Sequence, residues 1–555
     1  MRPEDTSRRR FHLRLALASY VVLICAGAAL RIWQFAADTS LYIDEIAVAR
    51  DVMNHPVLSL VTHSLPDQVA PRGFLLAEKT AVWGFGQGDS VLRLFPLLTS
   101  AGALLLFWRV ARRLEGAGGP VAMALFAGAI PLVSFSAQVK QYSSDVFFGL
   151  LLVGLALQFF TEPALSRRRI WAAGFAGAVI PWFSQPGVIV ALSLSALLFC
   201  RFAKEYRDHI DVFLAGGIWS LSSVAAAADA FWSVDPGIRG YVHRVWAGGF
   251  LPMPIGTALA TRWPWGPIKG VLGAGASASL DYPLPGLYLS LILLGFWSLW
   301  RWRRILALTL IAPIAAALGA AIAQTYPFAD RLILFLFPMF LLALGAGIDQ
   351  IRRWTALAFG SSGLRVMGWV LYGVLGLAPL WSTVVMPPVY HVEDMKAVLR
   401  YLESERQPGD RIYTYYAAAP ATVFYGSRYG LHEEDYAVGG CHRGEGRRYL
   451  EELDRFRGSR RVWILLTHAL PEFREREDIL RYLDTIGTRR RSFVAPARTP
   501  DNRNFPGEAY LYDLSDPARL GRAAAASFPI VGPHSAEAHR ACLYGPQVMI
   551  APRGI

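Results

Sequence analysis

Apolar runs of roughly 17 to 25 residues, the length that crosses the hydrocarbon core of a bilayer, recur from about residue 15 to about residue 385 and then stop. Inside a bilayer every backbone N–H and C=O must find its partner within the protein, so a series of such runs folds as a bundle of helices. The composition agrees, because 54% hydrophobic and 17% charged residues lie far from the mixture of a soluble chain.

The basic residues give the direction of each run, since Lys and Arg collect in short cytoplasmic loops. Clusters at Arg8, Arg9, Arg10 and Arg14, at Arg109, Arg112 and Arg113, at Arg167, Arg168 and Arg169, at Arg201, Lys204 and Arg207, at Arg301, Arg303 and Arg304, and at Arg352 and Arg353 fall between every second pair of runs. This predicts about eleven transmembrane helices near 15-36, 94-111, 118-136, 144-160, 170-183, 187-202, 210-230, 284-300, 304-324, 331-349 and 363-384, with large outer-face loops at 37-93 and 231-283. An odd count places the N-terminus in the cytoplasm and residues 386-555 outside, as a multi-pass protein of a bacterial-type inner (plasma) membrane. The basic start and apolar core of the N-terminus also suit a signal peptide. It reads better as an uncleaved first helix, because the later spans need that crossing.

Beyond residue 385 the pattern changes. "RIYTYY", "RVWILLTH" and "EAYLYDLS" read as strands, while "HVEDMKAVLRYLES" and "EREDILRYLDTIG" carry helical spacing. About 170 residues suffice for one soluble α/β domain. Cys441 and Cys542 both lie in it, and an oxidising compartment permits a disulfide; two cysteines alone leave pairing and free thiols equally open. The net charge of +13 resides largely in the cytoplasmic loops. Basic stretches such as "RFRGSRR" and "RRRSF" read as flanking or solvated surface, so no nucleic-acid partner is expected.

Just past the first span, "SLYIDEIAVAR" sets Asp44 beside Glu45 on an amphipathic segment at the outer face. A carboxylate half out of water can act as a general base; an ordinary solvated acid, or half of a metal site, fits the dipeptide as well. Arg72, Lys140, Tyr142, Tyr326 and Arg331 fall in other outer-face segments. Basic groups gathered at a membrane surface suit a lipid-linked phosphate, which needs both charge and hydrogen-bond donors. Singly, each suits an interfacial anchor.

"IDEIAVAR", "APRGFLL" with "SVLRLFPLL", "VKQYSSDVF" and "DRLILFLFPMFLLALGAGI", in this order, resemble the GT-C integral-membrane glycosyltransferases, specifically the family 39 relatives that include protein O-mannosyltransferases and lipid A aminoarabinose transferases. The resemblance covers residues 10 to 385. It implies transfer of a sugar from a polyprenyl-phosphate-linked donor to a lipid, glycan or protein acceptor on the outer face, amid membrane lipid. By the same resemblance, Asp44 is the base or acceptor-orienting acid, Glu45 its companion, and Lys140, Arg331, Arg72 and Tyr142 surround the donor phosphate. Two departures concern substrate identity: Leu332 stands where relatives often have Tyr, and Ala70 where they commonly have Lys, with Arg72 as a substitute. No cofactor and no metal ligand set is assigned, and dependence on a divalent cation stays open. The competing readings are a catalytically inactive membrane-anchored binding or scaffold protein, and a lipid or sugar transporter. A transporter buries its polar residues near the bilayer midplane; this chain concentrates charge at the ends of its spans.

Overall fold

The computed structural model describes residues 3–62, 69–114, 118–162, 165–272 apart from 235, 262 and 264, then 284–358, 366, 370, 387–499, 505–533 and 542. Two parts follow one another along the chain, a helical bundle and an α/β domain.

Seven helices among the described residues are long and apolar enough to cross a membrane: Leu17–Ala36, Asp89–Ala111, Tyr142–Thr161, Gln185–Glu205, Ile210–Ser233, Arg304–Ile322 and Asp330–Ala358. An eighth candidate, Gly118–Gly128 with Ile130–Ala137, is bent by 52°. The spans expected near 170 and 284 are the helices Arg167–Phe183 and Pro285–Trp302, present but outside that set in length or apolarity. The helix expected at 363-384 lies almost wholly outside the described residues.

The bend has a chemical cause. Pro131 carries no N–H, so the carbonyl of Ala127, four residues earlier, loses its helical partner. Buried Arg31 of the first span replaces it, Nη1 donating to Ala127 O at 3.0 Å and to Gly27 O at 2.9 Å, while Nε donates to Ser100 Oγ at 2.8 Å. A charge at such depth is tolerated only when held this way. The bent segment ends at Ala137 and delivers Gln138, Val139 and Lys140 to one end of the bundle.

At that end, helix Ile43–Asn54 lies on helix Arg72–Phe85 over a shared apolar core that includes Ile46, Val48, Phe74 and Leu75. The helices Pro236–Val245, Ile255–Ala260 and Trp265–Leu272 occupy the expected second loop.

The α/β domain has one five-stranded sheet: β1 (Arg411–Thr414), β2 (Tyr436–Val438), β3 (Val462–Leu466), β4 (Thr488–Ala495) and β5 (Gly507–Asp513), in the order β2-β1-β3-β5-β4. β1 is parallel to β2 and β3, and β5 runs antiparallel between β3 and β4. Central β3 is buried along its whole length, as a strand covered on both faces should be. The "RRRSF" stretch is part of β4, an edge strand whose exposed arginines discourage pairing with another chain. Helices Met395–Glu405 and Glu475–Ile486 match the helical spacing, and Cys441 and Cys542 form a disulfide.

The domain is docked on the bundle through a buried carboxylate. Asp89, 2% exposed at its side chain, takes Lys396 Nζ at 2.8 Å, Arg428 Nη1 at 3.0 Å and the Tyr425 hydroxyl at 2.7 Å. That hydroxyl also accepts the Leu41 N–H at 2.9 Å, and Ser40 Oγ donates to Asp394 at 2.8 Å. The turn leading into Ile43–Asn54 is therefore held by the C-terminal domain.

Candidate active site

Helix Ile43–Asn54 begins with Asp44 and Glu45 in its first turn, and the two side chains part company. Glu45 is buried and accepts two backbone N–H groups, Tyr42 N at 3.1 Å and Val139 N at 2.7 Å. The first contact belongs to a capping arrangement that satisfies the start of the helix. The second ties the helix to the segment carrying Lys140. Burial raises the Glu45 carboxyl, while buried Arg93 and the two amides oppose the rise. Glu45 thus fastens the start of its helix to the segment that carries Lys140.

Asp44 keeps 39% of its side chain exposed and meets Arg331, whose Nη2 lies 3.2 Å from Oδ2. The Arg331 guanidinium lies over two rings at cation–π distance, 5.6 Å from the centre of Tyr142 and 5.4 Å from that of Trp246. Such contacts hold a guanidinium in place beside the rings; the buried Arg331 Nε has no hydrogen-bond partner. Burial by itself would raise the Asp44 carboxyl, yet Lys140 and Arg331, with a smaller contribution from His468, hold it below the usual carboxylate range. Lys140 in turn is lowered by burial, which the facing Asp44 charge partly offsets. One ionised carboxylate therefore stands between two cations at the end of the bundle.

Of the residues singled out in the sequence, Asp44, Lys140, Tyr142 and Arg331 come together here. Arg72 does not join them. Its Nε and Nη2 grip Asp229 at 2.6 and 2.8 Å, and Nη1 donates to Val61 O, so it fastens helix Arg72–Phe85 to helix Ile210–Ser233. Tyr326 donates its hydroxyl to Leu332 O at 2.7 Å and supports the Arg331 turn. Trp246, Arg93 and His468 belong to the surroundings although the sequence did not single them out: Arg93 lies within "SVLRLFPLL", His468 ends "RVWILLTH", and Trp246 sits in the aromatic-rich second loop. Among the described residues no set of three His, Cys, Asp or Glu side chains is placed to hold a metal ion.

No family model matches the chain, and no curated protein matches it. Solved structures similar to it include ArnT from Cupriavidus metallidurans bound to undecaprenyl phosphate, at 12% identity and a TM-score of 0.44, covering 92% of this chain and 99% of that one. The apo state of the same protein aligns at 13% identity and a TM-score of 0.46, covering 90% and 99%. An Archaeoglobus fulgidus oligosaccharyltransferase tethered with an acceptor peptide aligns at 12% identity and a TM-score of 0.45, covering 86% of this chain and 72% of that one. At these values none of them assigns a reaction to this chain.

Proposed function

We propose that this protein is a membrane glycosyltransferase of the GT-C type, moving a sugar from a polyprenyl-phosphate donor to an acceptor hydroxyl at the outer membrane face. The observation that carries the reading is the Asp44–Arg331 pair with Lys140 at its side: a partly exposed carboxylate and two cations where the spans end. The sequence resemblance to family 39 supplies the same residues in the same order. A disulfide in the C-terminal domain suits an exported location.

The chemistry follows from charge. An acceptor hydroxyl is a weak nucleophile, so Asp44 takes its proton as the oxygen bonds to the anomeric carbon. The bond from that carbon to the phosphate oxygen breaks, and its electron pair leaves with the polyprenyl phosphate. A single displacement inverts the anomeric centre. Negative charge grows on the leaving phosphate, where Arg331, beside the rings of Tyr142 and Trp246, and Lys140 stabilise it. An arriving phosphate also competes with Asp44 for these cations. Losing them raises the basicity of Asp44 when it must accept a proton.

The test is transfer by the purified protein in proteoliposomes supplied with a panel of radiolabelled undecaprenyl-phosphate sugars and outer-leaflet acceptors. Label moved into a new covalent product, with release of undecaprenyl phosphate, supports the reading. Movement of intact donor across the bilayer without cleavage would identify a transporter instead.

A further inference from the structure

In an open α/β sheet ligands bind beyond the carboxyl ends of the strands, where successive connections diverge to opposite sides. Here the chain leaves β1 for β2 on one side and returns past it to β3 on the other. The crevice therefore opens between the ends of β1 and β3. Past β1 comes helix Ala419–Tyr425, whose Tyr425 docks on Asp89; past β3 come Thr467 and His468. The edge of the domain suited to hold a ligand is turned toward the membrane bundle.

Unpaired polar groups collect on that edge. Glu393, 1% exposed, accepts Thr467 Oγ1 at 2.9 Å on Oε2, which lies 3.8 Å from His468 Nδ1; its Oε1 is buried and has no partner. His468 adopts φ +53°, a left-handed conformation costly for a residue with a Cβ, and its ring stacks on Phe505 with centroids 4.0 Å apart. Its Nδ1 is buried without a hydrogen bond. Val392, the neighbour of Glu393, packs on Tyr42, Ile43 and Ala47, which places this cluster against the turn that carries Asp44. Leaving a polar atom buried and unpaired is costly, more so for a charged group, so Glu393 Oε1 and His468 Nδ1 side by side mark a place built for donors and acceptors that arrive from outside. The influence of the His468 charge on Asp44 agrees with this placement.

We propose that Glu393 and His468 form the acceptor-binding wall of the Asp44 site and receive a saccharide, Glu393 Oε1 accepting a sugar hydroxyl and His468 Nδ1 hydrogen-bonding the next one. A carboxylate and an imidazole on a fixed aromatic stack meet what a pyranose offers, adjacent hydroxyls and an apolar ring face. The proposal rests on the transferase reading, since it seats the second substrate opposite the donor cations.

The full chain in detergent, wild type, Glu393→Gln and His468→Ala, is tested on a glycan array and an array of Ser/Thr peptides, with undecaprenyl phosphate binding by native mass spectrometry in parallel. Expected are saccharide binding by the wild type, a fall of tenfold or more in apparent affinity for each variant, and undecaprenyl phosphate binding within twofold. Glu393→Gln preserves shape, which guards against a folding artefact. No saccharide bound by the wild type, unchanged binding by both variants, or peptide binding that depends on Glu393 overturns the proposal. Loss of undecaprenyl phosphate binding in the wild type with saccharide binding intact overturns the transferase reading alone.

Discussion

Arg331 Nη2 lies 3.2 Å from Asp44 Oδ2 across 287 residues of sequence. The contact joins the turn after the first span to the start of a late one, and Lys140 adds a second positive charge to the same carboxylate. A carboxylate so paired is ionised at neutral pH but only weakly basic until its basic neighbours are drawn elsewhere.

That balance predicts a pH profile. Since Asp44 is held below the usual carboxylate range, kcat/KM, which reports the free enzyme, should stay flat as pH falls from 7 to about 5, with its acid limb lower still. Lys140→Met removes the cation that lowers Asp44 most, so the carboxyl rises and the acid limb moves to higher pH. An unchanged limb in the variant separates Lys140 from Asp44.

Glu45 should behave as a structural residue. Glu45→Ala leaves the buried amides of Tyr42 and Val139 without acceptors and should cost about 2–6 kcal/mol, at roughly 1–3 per unpaired group. Glu45→Gln keeps an acceptor oxygen and should cost less. Thermal melting in detergent reads both; equal melting temperatures for wild type and Glu45→Ala contradict the capping role.

Arg72 and Asp229 should be exchangeable as a pair. Arg72→Ala is expected to lower the melting temperature and leave undecaprenyl phosphate affinity within about twofold, because the guanidinium is committed to Asp229. The swap Arg72→Asp with Asp229→Arg should recover part of the lost stability, as coupled partners do in a double-mutant cycle. A tenfold loss of lipid-phosphate affinity in Arg72→Ala, at intact stability, returns Arg72 to the site.

Asp89 should control the docking of the C-terminal domain. Asp89→Ala leaves the Tyr425 hydroxyl buried without its carboxylate, at about 1–3 kcal/mol, while Lys396 keeps only the half-exposed Asp38. Hydrogen exchange should rise at Leu41 and along Ile43–Asn54, since the Tyr425 hydroxyl that accepts the Leu41 N–H loses its anchor. Unaltered exchange there shows that the domain is held by other contacts.

The bundle and three of the five strands, β1, β3 and β5, were legible in the sequence because apolar runs and clusters of aromatic and β-branched residues are local patterns. Asp44, Lys140, Tyr142 and Arg331 were legible for a related reason: each lies where a span ends, and the ends of spans meet at one surface. The role of Glu45 was hidden because it depends on the Val139 amide, 94 residues away. Arg72 looked like a phosphate ligand by its place in the loop, and only the fold brings Asp229 to it from 157 residues further on. His468 belongs to a different domain, and no local pattern links the end of β3 to Asp44. The arginines of β4 read as solvated surface, which they are; that they also form an edge strand follows from pairing with β5.

The most direct test of the central claim compares purified wild type with Asp44→Asn in single-turnover release of undecaprenyl phosphate from an undecaprenyl-phosphate sugar that the wild type uses. The amide keeps the shape of the side chain but cannot take a proton at neutral pH. A fall of about two to four orders of magnitude in rate, the usual scale for a lost general base, with undecaprenyl phosphate affinity little changed, is the predicted result. Turnover by Asp44→Asn within a few-fold of wild type would contradict it.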